Sequence, residues 1–90
     1  MHDTKAKLIV ENGTTCMLCG QDVGRYIEWH HIIPKCYYRR NGLTVNNDYT
    51  NGVLLCHVCH KHIHEYDYDS CEYKQAMAKA VNNRNDNLGG

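Results

Sequence analysis

A single small α+β domain is the fold class this sequence predicts, on three observations. The chain has 90 residues, too few to be secure on a hydrophobic core alone. Short runs rich in β-branched and aromatic residues, "RYIEWHHII" and "GVLLC", lie between stretches with helical spacing. Two Cys-x2-Cys pairs, Cys16 with Cys19 and Cys56 with Cys59, flank the first run and close the second. No apolar signal-like segment opens the chain and no run approaches membrane-spanning length, so a reducing cytoplasmic compartment is expected. There the pairs read as a structural zinc staple rather than as disulfides.

The elements follow in order. "DTKAKLIVEN" suits a short amphipathic helix from Asp3, stopped by Asn12-Gly13. "CMLCG" makes a tight knuckle, and "RYIEWHHII" is read as a strand ending at Pro34. Residues 35–50 are read as a polar loop on their Asn-Gly and Asn-Asn-Asp turn signals. "GVLLC" is a second strand, and "HVCHKHIHEY" completes the knuckle and runs into a helix. "DSCE" predicts a capping box with Asp69 as N-cap and Glu72 at the third helical position. The stripe Tyr73, Ala76, Met77, Ala80, Val81 then marks a core-facing helix over about 69–83, with 84–90 as a flexible tail. Residues 1–90 thus form one domain, with no repeat beyond the two knuckles.

Formal net charge is zero, which excludes a broadly basic nucleic-acid binder. The distribution is uneven, however. Arg25, Lys35, Arg39 and Arg40 outnumber Glu28 in the middle, and an acidic stretch, Glu65, Asp67, Asp69, Glu72, follows. Either patch serves equally as ordinary solvated surface.

Each Cys-x2-Cys turn offers two thiolates to one ion, and two such turns complete a closed tetrahedral zinc site from Cys16, Cys19, Cys56 and Cys59. A closed site has no room for substrate, so its role is structural. The histidines carry the other chemistry. His60 and His64 stand four apart on one helix face, the spacing for gripping one ion. His62 and His57 are read as bystanders. A third ligand must come from elsewhere, either His30 or His31. Because adjacent strand residues face opposite ways, one of that pair can bind metal while the other stays free as a base. Cys36 and Cys71 have no partner in this scheme and are read as free thiols.

"WHHIIP", then "NGVLLC", then "HVCHKHIH" resembles the motif of the HNH endonucleases, the ββα-metal or His-Me finger family, over residues 16–64. Asn51 falls nine positions before His60, as in the colicin-type members. The resemblance implies a zinc-stabilised ββα-metal fold with flanking N- and C-terminal helices. It implies that His30, His60 and His64 hold a catalytic divalent ion, that His31 is the general base, and that Asn51 orients it. Asn46 and Asn47 are fallback candidates for that last role. DNA is the implied substrate, cut to 5′-phosphate and 3′-hydroxyl ends. Lys35, Tyr37, Tyr38, Arg39 and Arg40 are the candidate DNA contacts. An all-nitrogen site favours Zn2+, Ni2+ or Mn2+, with Mg2+ also used in the family. Gly52 departs from the pattern, since an apolar residue is common after the Asn, and a looser Asn51 is the expectation. Phage, mobile-element and restriction settings all suit such a domain, alone or delivered by a protein partner.

Cys56-His57-Val58-Cys59-His60 also spells a c-type haem attachment motif. That reading leaves Cys16, Cys19, His30 and His31 unexplained, and a thioredoxin-type redox pair lacks its βαβ context. The alternative of another class is a non-catalytic zinc-knuckle module that binds nucleic acid or protein. It has no use for a second, three-histidine metal site.

Overall fold

The computed structural model describes residues 3–47 and 49–84. Helix α1 (Asp3–Asn12) ends where expected, and Gly13 takes the positive φ that lets the chain turn away. The first knuckle follows. Gly20, also at positive φ, closes it by donating to the Cys16 carbonyl at 2.9 Å. Met17 donates to the Leu54 carbonyl at 2.9 Å, which fastens the knuckle to the sheet.

That sheet has two antiparallel strands, β1 (Glu28–His31) and β2 (Gly52–Leu55). The expected first strand is therefore shorter than its pattern: Gly24–Tyr26 form a 3₁₀ turn, and Gly24 supplies the positive φ. In register, Trp29 faces Leu54, His30 faces Val53 and His31 faces Gly52. Alternation sends Glu28 and His30 to one face and Trp29 and His31 to the other. All four β2 residues are buried, because α1 covers one face and two later helices, α3 (His57–Ile63) and α4 (Cys71–Asn83), cover the other. The core is Leu8, Ile27, Val53, Leu54, Leu55, Ile63, Met77 and Ala80 with the buried cysteines.

Two expectations need correction. Residues 35–50 are not all loop, since Lys35–Arg40 form helix α2. Its Asn41-Gly42 pair, a turn signal in the sequence, stops this helix. Gly42 has positive φ, and Leu43 donates to the Tyr38 carbonyl at 2.8 Å. Only Tyr38 of this helix is buried, so no helical stripe marks it. The N-cap of α4 is Ser70, not Asp69: the Ser70 hydroxyl accepts from the Tyr73 amide at 3.1 Å. The predicted stripe otherwise holds, with Tyr73, Met77 and Ala80 buried.

The end of α4 is anchored. The Asn83 amide donates to the Met17 carbonyl at 2.8 Å, and Arg84 donates to the carbonyls of Gly52 and Thr50 at 3.0 and 3.2 Å. Arg84 is thus tied to β2 rather than part of a tail, while the expectation for 85–90 lies outside the described residues. No helix among the described residues is long and apolar enough to cross a membrane.

Candidate functional site

Among the described residues, two clusters of metal-type donors form. In the first, Cys16, Cys19, Cys56 and Cys59 bring their sulfurs within 4.8 Å of one another. The Sγ atoms of Cys19 and Cys56 are 3.7 Å apart. A tetrahedral ion with bonds of about 2.3 Å to sulfur requires edges of about 3.8 Å, so the donor set fits zinc. Each turn also points amides at a sulfur: Leu18 and Cys19 donate to Cys16 at 3.4 and 3.5 Å, and Cys59 donates to Cys56 at 3.5 Å. Burial pushes the Cys16 thiol up, but the amides of Cys19, Cys56 and Leu18 outweigh it and hold it at about 7. Burial and the neighbouring sulfurs push Cys59 far above the usual thiol range. Four such groups ionise together only around a cation. None of the six cysteines is in a disulfide, and Cys36 and Cys71 are exposed.

In the second cluster, His30, His60 and His64 bring one ring nitrogen each within the same 4.8 Å limit. His30 is buried at 5% exposure. Burial, then His60 and His64, lowers its pKa to about 3, so at neutral pH it is an uncharged donor. Its proton is placed by a residue the sequence had offered only as core. The Tyr73 hydroxyl donates to the Ile32 carbonyl at 2.5 Å. It therefore presents only lone pairs to His30 Nε2, 2.7 Å away. Nε2 must carry the proton, and Nδ1 keeps the lone pair for the cluster.

His60 is oriented in the same manner from the other side. Its Nδ1 donates to Glu28 Oε1 at 2.6 Å, leaving Nε2 for metal. The hydrogen bond from His60, then that from His57 at 3.1 Å, holds the Glu28 carboxyl below its usual range. Glu28 was legible only as a charge, although it stands two residues before His30 on the same strand face. His62 bonds the exposed Tyr66 hydroxyl at 3.0 Å and stays out of the cluster.

His31 lies on the opposite face, stacked on Trp29 with ring centroids 4.4 Å apart. Its Nε2 is 2.9 Å from Asn47 Oδ1. An amide oxygen only accepts, so Nε2 is protonated and Nδ1 is the basic nitrogen. Asn47, a fallback candidate in the sequence, therefore holds the position expected of Asn51. Asn51 does something else. Buried at 4% exposure, it accepts from the Ile33 amide at 2.8 Å and donates to the carbonyls of Ile33 and Asn46 at 3.2 and 3.0 Å. It locks the loops on either side of the sheet together. Gly52 does not loosen it: a Cβ there would overlap the Trp29 indole nitrogen, so glycine is what allows Trp29 to sit beneath His31.

A cleft of about 270 Å³ brings His31, the three clustered histidines, Trp29, Pro34 and Lys35 to one opening. Of the candidate DNA contacts, Lys35, Tyr37, Arg39 and Arg40 are exposed on α2, while Tyr38 is buried and unavailable. The acidic stretch comes close to the histidine cluster. Asp67 and Asp69 line a second cavity that also reaches His30 and His64.

Paired strands, a metal-facing helix and two donor clusters together define a zinc-knuckle ββα-metal domain. The family comparison agrees: an HNH endonuclease model matches residues 16–68. The chain belongs to that family, whose activity is of the nuclease type on nucleic acid. A search of curated proteins returned no significant match.

Proposed function

We propose that the protein is a metal-dependent DNA endonuclease with zinc in its cysteine cluster. The observation that carries this is the joint opening of His31 and the His30, His60, His64 cluster into one cleft. A divalent ion bound by the three imidazoles supplies Lewis-acid stabilisation of the charge that develops on the phosphate and the leaving 3′ oxygen. The chain's own groups do the rest. His31 Nδ1, with its lone pair fixed by the Asn47 contact, takes a proton from water as the water oxygen bonds to phosphorus. The P–O3′ bond breaks and the leaving oxygen takes a proton from solvent water, giving 5′-phosphate and 3′-hydroxyl ends. Lys35, at the cleft, and Arg39 and Arg40, further along α2, meet the phosphates. Glu28 and Tyr73 hold two of the metal-binding rings.

A plasmid-nicking assay across Zn2+, Ni2+, Mn2+ and Mg2+ tests the reading. Wild type should nick with at least one transition metal. His31→Ala should bind that metal normally but cut about 10²–10⁴-fold more slowly, the range for a lost general base. His60→Ala should lose the metal itself. Equal cutting by His31→Ala and wild type overturns the role given to His31. No nicking under any metal leaves the non-catalytic zinc-knuckle module.

A further inference from the structure

The larger cavity, about 770 Å³, has no role in the reading above. It shares His30, Pro34 and His64 with the smaller cleft, so it opens directly beside the proposed metal. Its volume is within the ~300–1,000 Å³ of ordinary ligand sites. The lining is aromatic: Tyr37 and Tyr68 have ring centroids 5.5 Å apart, and Tyr68 and Tyr73 5.7 Å. Tyr37 is 40% exposed, which leaves ring surface for another flat group.

The charge in the cavity selects the ligand. Two carboxylates, Asp67 and Asp69, line it against one guanidinium, Arg40. A phosphate chain is repelled from such a lining. A nucleobase is not: its faces stack on tyrosine, and its amino and imino groups donate to carboxylates. The net charge of zero points the same way, since little long-range attraction for a duplex backbone exists.

We infer that this cavity receives an unpaired base of the nucleotide next to the scissile phosphate, and that the enzyme selects single-stranded or locally unpaired DNA. In a paired duplex the bases are stacked inside and no base reaches the cavity without being flipped out. The inference rests on the nuclease reading for the position of the phosphate, but the binding it predicts does not require turnover.

The test uses the full chain carrying His31→Ala and an oligonucleotide with 2-aminopurine, presented single-stranded or in a matched duplex. Fluorescence anisotropy should show tighter binding of the single strand, with quenching of the 2-aminopurine as it stacks. Adding Tyr37→Ala should weaken single-strand binding about tenfold, within the 1–3 kcal/mol of one base stack, remove the quenching, and leave duplex binding within about twofold. Tyr37→Trp should restore both signals. Equal loss on both DNAs, or no change on either, overturns the base site. If wild type cuts neither plasmid nor single-stranded DNA under any metal, yet the Tyr37-dependent quenching persists, the nuclease reading falls and the base site stands.

Discussion

The hydroxyl of Tyr73 stands 2.7 Å from Nε2 of His30, and that contact reaches from the last helix into the metal cluster. Because the Tyr73 proton is committed to Ile32, the pair fixes which His30 nitrogen can bind metal. Tyr73→Phe keeps the ring and removes the acceptor. It should weaken metal binding about 10–100-fold, the usual effect of losing a group that orients a ligand. A cobalt titration followed by its visible bands reads this directly. Unchanged affinity and unchanged bands would remove Tyr73 from the site.

The cysteine cluster should hold one zinc per chain. In small zinc domains that binding is worth about 10–16 kcal/mol, more than a core of this size supplies. Removing the ion with a strong chelator should abolish the folded circular dichroism spectrum and restore it on zinc return. Protein that is zinc-free by elemental analysis and still fully folded would refute the staple.

Asn47 and Asn51 should separate cleanly. Asn47→Ala removes the partner of His31, so cleavage should fall about 10–100-fold while folding stability stays near wild type, by analogy with other imidazole-orienting partners. Asn51→Ala removes, from a buried position, three hydrogen bonds to the backbone of Ile33 and Asn46. It should cost about 1–3 kcal/mol or more in denaturant unfolding. If Asn51→Ala slows cutting without changing stability, the two assignments exchange.

Acid should destabilise the fold through His30. In the unfolded chain this imidazole binds a proton below about 6.5, while in the folded protein it stays neutral down to about 3. Between those values the unfolded state holds more protons, so its contribution is fully favourable above pH 6.5 and is lost as pH falls toward 3. The slope approaches about 1.4 kcal/mol per pH unit for one proton. With zinc in the cysteine site and no ion added at the histidines, urea midpoints of His30→Gln should depend less on pH over that window than those of wild type.

Duplex affinity should respond to salt only weakly. With Lys35, Arg39 and Arg40 as the proposed phosphate contacts, the log–log slope should be roughly −2 to −4 at about −0.9 per phosphate. Replacing Arg39 and Arg40 with alanine should flatten it without disturbing zinc. A steep slope that survives the double change would put the duplex surface elsewhere.

The parts of this molecule that are legible in the sequence are those whose geometry is local. Cys-x2-Cys is one turn and His60 to His64 is one helical step, so their spacing is their structure. The helical stripe of α4 is visible for the same reason. Tyr73 meets His30 across 43 residues and His60 meets Glu28 across 32, and no local pattern encodes either meeting. Asn51 and Asn47 are both asparagines near the right place, and only the path of the loop decides which one reaches His31. Helix α2 stayed hidden because a helix with one buried residue has no period to detect.

Cys56 follows β2 directly, offers a sulfur to the first cluster and caps α3, four residues before His60 on that same helix. The cysteine cluster therefore sets the rotational phase of the helix that carries His60 and His64, as well as its place. One residue inserted between Cys59 and His60 would turn the following side chains by about 100°. His60 and His64 would then sweep past His30 while every ligand remained in the sequence and the zinc remained bound. A protein so altered would be folded, fully loaded at its cysteines and blind to the second metal.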